Sequence, residues 1–147
     1  LGWARVDAEA LFGPFFIWST PMSVPTDRRY AETHEWHKPE GDLIVIGLTQ
    51  FAVDQLTDIT FVEMKDAGTD FHAGDEIGEV ESVKTSSGIY AGVDGEIVEV
   101  NEALNDDPSL LNSDPFGEGW LVKIKPSASA DLAALMEAEA YEVKNPS

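Results

Sequence analysis

The stretch Glu79-Val80-Glu81-Ser82-Val83-Lys84-Thr85-Ser86-Ser87-Gly88-Ile89-Tyr90 decides how the rest of the chain is read. An extended run with β-branched residues climbs to Lys84, and small polar residues with a glycine separate it from Ile89 and Tyr90. Two strand-like runs around such a segment predict a β-hairpin, with Gly88 permitting the reversal. Lys84 then stands at or beside an exposed tip. It is the only basic residue between Lys65 and Lys123, which sets it apart from an ordinary solubilising lysine at a strand end.

The pattern Glu-Ile-x-Glu-Val occurs at Glu76 to Val80 and again at Glu96 to Val100, on either side of the tip. Short internal repeats of this kind predict two similar β units related by a pseudo-twofold, with the turn presented at one end. Further upstream, Leu43 to Gly47 reads as a continuous apolar strand, and the Thr49 hydroxyl offers an N-cap to a short helix ending near Leu56. Ile59 to Glu63 reads as an alternating strand. Glycine-containing turns follow at Ala67-Gly68-Thr69 and Ala73-Gly74-Asp75, and strands are expected at Glu76 to Val83 and Glu96 to Asn101. Asn105 to Gly119 is expected to be a loop with one helical turn around Ser109 to Leu111, and Trp120 to Lys125 the last strand. Ser129 is a candidate N-cap for a final helix from about Ala130 to Ala140, with Leu132, Leu135 and Met136 as its apolar stripe. Many short strands with Gly-rich turns and few helices predict an all-β core with small peripheral helices.

The motifs Glu81-Ser82-Val83-Lys84, Ser87-Gly88-Ile89-Tyr90 and Gly95-Glu96-Ile97-Val98-Glu99-Val100-Asn101 resemble the lipoyl-lysine region of glycine cleavage system H proteins. Other segments agree in order. His34-Glu35-Trp36 is similar to an early motif of that family, and Gly47-Leu48-Thr49-Gln50-Phe51-Ala52 to its first short helix. Pro108-Ser109-Leu110-Leu111-Asn112, Asp114-Pro115-Phe116-Gly117 and Gly119-Trp120-Leu121 match a segment near its end, so the resemblance spans roughly residues 29–141.

The resemblance implies a barrel-sandwich of two antiparallel sheets that displays the lipoyl lysine on a β-hairpin, with a C-terminal helix. It implies a carrier without catalytic activity, bearing lipoate in amide linkage on Lys84. The attachment motif would be recognised through Glu81, Ser82, Val83 and Gly95. The arm would take the aminomethyl group of glycine at a pyridoxal-phosphate glycine decarboxylase and deliver it at an aminomethyltransferase. A dihydrolipoyl dehydrogenase would then reoxidise it, and lipoate-attaching enzymes would load it. Between partners the loaded arm is expected to rest in a cleft, with the Thr33 hydroxyl and the Glu35 carboxylate meeting its amine. Two departures stand out. Gly88 occupies a position where the family usually has Asp, and Gly92 one where Pro is common. A lipoyl carrier that relays the group to other enzymes keeps the same lysine motif and remains open. A biotinyl carrier usually flanks its lysine with Met, whereas Val83 and Thr85 stand here.

Composition bounds the rest. A chain of 147 residues with 43% hydrophobic residues can form one domain with a modest core. The absence of Cys removes disulfides, thiolate metal sites and thiol nucleophiles together. A net charge of −19 argues against nucleic acid and anionic membrane surfaces and suits basic protein partners. A Schiff-base role for Lys84 would need a desolvated, neutral lysine, and neighbouring carboxylates favour the charged form. His34 and His37 lie at i and i+3, not at the i and i+4 spacing of a zinc helix, so no metal is expected. Trp36 is instead expected to be buried in a strand, with Glu35 on the opposite face.

Residues 1–21 are rich in aromatics, including Trp3, Phe12, Phe15, Phe16 and Trp18. They are read as an upstream extension or tag without a role, with residues 22–147 as a single carrier domain; a cleaved targeting segment is the other reading. The expected setting is a bacterial cytoplasm, or a mitochondrion if residues 1–21 are a targeting segment. The chain is expected to be a monomer.

Overall fold

The computed structural model describes residues 24–128 and 130–145, so the expected extension over residues 1–21 lies outside it. Strands β1 (Arg29–Tyr30), β2 (Glu35–Glu40) and β3 (Leu43–Leu48) run antiparallel, and the last of them leads into helix α1 (Gln50–Leu56). Strands β4 (Ile59–Met64), β5 (Asp70–Phe71), β6 (Glu76–Ser82), β7 (Ser86–Tyr90) and β8 (Gly95–Val100) follow. Helices α2 (Ala103–Asp106) and α3 (Leu110–Ser113), strand β9 (Val122–Pro126), a 3-10 turn (Leu132–Ala134) and helix α4 (Ala138–Lys144) complete the chain. One sheet has the order β1-β2-β3-β9-β8-β5 and the other β4-β6-β7. They form a barrel-sandwich whose pairing does not close into a barrel.

The core explains the run at Leu43 to Leu48. Ile44, Ile46 and Leu48 point into the space between the sheets, against Ile59, Val62, Ile77, Val80 and Ile89 of the smaller sheet. Val45 faces the other way, into a second cluster with Tyr30, Trp36, Ala138 and Tyr141. A strand covered on both faces has no polar alternation to show. Gly47 stands opposite Trp36 in the ladder, and a Cβ there would come within 2.5 Å of the indole ring, so glycine makes room for the tryptophan. The indole N–H is shared between the Leu48 and Pro115 carbonyls, each at 3.0 Å, and the Arg28 guanidinium lies 4.6 Å above the ring.

The two copies of Glu-Ile-x-Glu-Val fall in different sheets, at β6 and β8, and each sends its isoleucine, Ile77 or Ile97, into the shared core. The N-cap at Thr49 is formed as expected, its hydroxyl accepting the Ala52 N–H.

Several expectations are corrected. The hairpin reverses at Val83–Thr85, and Gly88 lies inside the return strand opposite Glu79. Glu35 lies on the face of β2 opposite Trp36, but that face is covered as well, so Glu35, Trp36 and His37 are all buried in the first half of the strand. The alternation of β4 is interrupted by a bulge between Ile59 and Phe61, which leaves Phe61 48% exposed while Ile59 and Val62 are buried. The loop after Asn101 contains two short helices where one was expected. The helix expected over 130–140 is broken. Asp131 caps only the 3-10 turn, and Met136 then pairs with Tyr30 as a β-bridge, its N–H donating to the Tyr30 carbonyl at 2.9 Å. Helix α4 starts only after that bridge. The expected cap, Ser129, lies outside the described residues.

Candidate functional site

Lys84 sits in the turn between β6 and β7, exposed to solvent. Ser82 builds that turn. Its N–H donates to the Thr85 carbonyl at 2.8 Å, and its hydroxyl oxygen accepts the N–H groups of Lys84 and Thr85 at 3.1 Å each. This is the local side-chain-to-backbone bonding that makes serine a turn former. The tip is also tied sideways to the segment after α1: the Val83 N–H donates to the Asp58 carbonyl at 3.0 Å, and the Thr60 hydroxyl to the Glu81 carbonyl at 3.2 Å. The Lys84 ammonium donates to the Gln55 carbonyl at 3.3 Å, in the last turn of α1, where helix carbonyls lack intrahelical partners and favour a cation.

Of the residues expected for recognition, Glu81, Ser82 and Val83 adjoin Lys84. Gly95 does not. It opens β8 in the other sheet, opposite Pro126 and Phe71. A Cβ on it would stand 2.7 Å from the Lys125 carbonyl, so close strand packing already demands a glycine there.

A cleft of about 310 Å³ opens beside the hairpin, and Gln55, whose carbonyl touches the Lys84 amine, also lines it. Its apolar wall consists of Leu48, Phe51, Ala52, Leu56 and Val80, and its polar side of Thr33, His34, Gln55 and Ser87. Gly88 contributes bare backbone. Mostly apolar lining with a few placed polar groups suits a largely aliphatic group carrying a few polar atoms.

The structure brings Thr33 and Glu35 together, but at different depths. Thr33 is on the cleft wall, whereas Glu35 lies behind it, fully buried. The Thr33 hydroxyl donates to one carboxylate oxygen, and the Tyr90 N–H donates to the other at 2.9 Å. Burial pushes the Glu35 carboxyl up to about 7 against these two hydrogen bonds, which favour its charged form. Beside it, buried His37 accepts the Gly92 N–H at 3.0 Å, and burial holds its imidazole down to about 4, so it is neutral at pH 7. A Pro at position 92 could not supply this N–H.

Sequence reasoning did not find the third feature of the cleft, a chain of His34, Tyr141 and Thr49. His34 Nδ1 lies 2.7 Å from the Tyr141 hydroxyl, which lies 2.7 Å from the Thr49 hydroxyl. His34 was visible in its motif, and Thr49 as a helix cap. Nothing local marks Tyr141 as their partner, because the contact spans 107 residues to His34 and 92 to Thr49.

Among the described residues there is no group of three or more His, Asp or Glu side chains able to hold a metal ion, and no helix long and apolar enough to cross a membrane. The exposed strand residues leading to the tip, Glu76, Glu79 and Glu81, are all acidic.

Comparison with known proteins agrees with this geometry. A family model described as glycine cleavage H-protein matches residues 28–145. A glycine cleavage system H protein of Thermus thermophilus is 50% identical over 121 residues, covering 82% of this chain and 94% of its own length. One from Acinetobacter baumannii is 49% identical over 121 residues, covering 82% of this chain and 98% of its own. The crystal structure of a glycine cleavage system H protein from Mycobacterium marinum superposes with a TM-score of 0.75 at 40% identity, covering 83% of this chain and 98% of that one. With its lysine-bearing hairpin and barrel-sandwich core, the chain belongs to the glycine cleavage H-protein family.

Proposed function

We propose that this chain is the lipoyl-carrying shuttle of a glycine cleavage system, with Lys84 as its attachment site. The observation that carries the proposal is the placement of Lys84: an exposed amine on a hydrogen-bonded turn, 3.3 Å from the carbonyl of Gln55, which lines a cleft of about 310 Å³. The family match over residues 28–145 favours this role over a biotinyl carrier.

The bound lipoyl group would supply the redox and carbon-transfer chemistry, and the protein presents and positions it. Acylation removes the charge of Lys84 and with it the ammonium bond to the Gln55 carbonyl. Ser82 and Asp58 hold the backbone of the turn, so the tip keeps its shape when the side chain leaves α1. The wall of Leu48, Phe51 and Leu56 offers apolar cover, and Thr33 offers a hydroxyl backed by the Glu35 carboxylate to a protonated amine entering from solvent. A cationic amine out of water needs such acceptors. The acidic outer face of β6 below the tip suits basic entrances on the decarboxylase, the aminomethyltransferase and the dihydrolipoyl dehydrogenase, and steers encounter with them.

Intact mass and peptide mapping of chain produced with lipoate available are expected to place one lipoyl increment on Lys84. Lys84→Arg keeps the fold and abolishes both the increment and support of glycine cleavage. A biotin increment, or lipoyl on another lysine, refutes the assignment.

A further inference from the structure

His34 has an unusual backbone. Its φ is 81°, at a positive value that few residues other than glycine adopt, although His tolerates it better than most. The surroundings hold it there: its N–H donates to the Ala31 carbonyl at 3.0 Å, and its carbonyl accepts the Thr49 N–H at 3.0 Å. The ring lies 5.0 Å from that of Phe51, another cleft residue, and meets the Tyr141 ring edge-on at 5.7 Å. Tyr141 is itself fixed, 1% exposed and stacked on Tyr30 at 4.9 Å.

The direction of the hydrogen-bond chain follows from counting protons. The Thr49 hydroxyl is buried and its oxygen accepts the Ala52 N–H, as the helix cap requires. Its own proton needs an acceptor, and among the described residues the Tyr141 oxygen at 2.7 Å is the one in reach. Thr49 therefore donates to Tyr141. Tyr141 in turn donates to His34 Nδ1 at 2.7 Å. The opposite direction would leave a buried hydroxyl proton unsatisfied, which folded proteins avoid. With Nδ1 accepting, the proton of the neutral ring sits on Nε2, at the edge away from Tyr141. Burial lowers the pKa of His34, which keeps the ring neutral at pH 7.

We infer that Tyr141 is a positioning residue that holds His34 as the Nε2–H tautomer, so that the cleft wall presents a neutral N–H donor to an acceptor atom of the arm on Lys84. Thr33 with Glu35 then serves as the acceptor side of the cleft and His34 as its donor side. Of the atoms such an arm carries, the amide carbonyl oxygen is the strong acceptor and the ring sulfurs are weak ones. The identity of that acceptor rests on the carrier role of Lys84; the tautomer does not.

The test is long-range proton–nitrogen correlation on histidine-labelled protein. The unloaded chain is expected to show His34 protonated on Nε2 at pH 7. Tyr141→Phe keeps the stack on Tyr30 and is expected to loosen that pattern toward the tautomer mixture of an unconstrained neutral imidazole. Thr49→Val leaves the Tyr141 donor in place and keeps the wild-type pattern. In the lipoyl-loaded chain, the His34 Nε2–H is expected to exchange with water roughly ten-fold more slowly than in the unloaded one, and Tyr141→Phe to remove the difference. A wild-type ring protonated on Nδ1, or a pattern indifferent to Tyr141→Phe, overturns the positioning role. Equal exchange in loaded and unloaded chain overturns the donor role toward the arm. Absence of a lipoyl increment on Lys84 refutes the carrier assignment instead, and leaves the tautomer result to stand by itself.

Discussion

The Glu35 carboxylate accepts the backbone N–H of Tyr90 at 2.9 Å, joining β2 of one sheet to the strand that descends from the Lys84 turn in the other. A buried acid therefore ties the hairpin to the body of the protein.

The first prediction concerns pH. The Glu35 carboxyl is raised from 4.5 to about 7 in the fold, so the folded state binds the proton more tightly than the unfolded chain does. The stability contributed by protonation is full below the unfolded value, and is lost as pH rises through the folded one. Thermal or urea unfolding is expected to show wild type losing on the order of 2–3 kcal/mol between pH 4.5 and 8 from this group. Glu35→Gln should flatten that slope. An unchanged slope in the variant would show that Glu35 does not titrate in this window.

Gly92→Pro is expected to destabilise this chain by about 2–3 kcal/mol. It removes the N–H donated to buried His37, and its added carbon would meet Leu135 at 2.9 Å. Denaturant unfolding measures the loss. A neutral result would mean that His37 finds another donor.

Glu63 faces Glu79 directly across the β4–β6 ladder, with both side chains exposed. Like charges opposed in this way repel. Glu63→Gln is expected to raise stability by about 0.3–0.8 kcal/mol at low salt, with the gain shrinking at high salt. A loss of stability would refute the repulsion.

Ser82→Ala removes the oxygen that accepts from Lys84 and Thr85. Hydrogen exchange at these two amides is expected to speed up by roughly ten-fold, while global stability falls by no more than about 1 kcal/mol. Protection that survives the substitution would assign the order of the turn to the Asp58 contact instead.

The sandwich and hairpin were legible because their signals are local. Thr49 announces a helix by its hydroxyl, and β3 a doubly covered strand by its unbroken apolar run. The site was legible where a motif lies in consecutive residues, as at Glu81 to Lys84. Gly88 misled because a glycine in a polar stretch reads as a reversal, whereas the reversal is made at Val83–Thr85, where the Ser82 hydroxyl accepts the Lys84 and Thr85 N–H groups. The burial of Glu35 was hidden because alternation assumes one wet face, and the first half of β2, Glu35 to His37, has none. The break before α4 was hidden for a related reason: Met136 continues an apolar stripe, yet pairs with Tyr30 across 106 residues of chain. Tyr141 carries no local mark of its partners at all.

The turn at Ser82 to Thr85 also sets a distance. Because its backbone is held on both sides, by the serine within and by Asp58 beside it, the tip adds little wandering of its own. The volume a tethered group explores is then a shell centred on the Lys84 Cα, with a radius fixed by the side chain and whatever it bears. A partner whose reacting centre lies deeper than that radius below its own surface cannot be served by a looser hinge. It must have an opening wide enough to admit the hairpin itself.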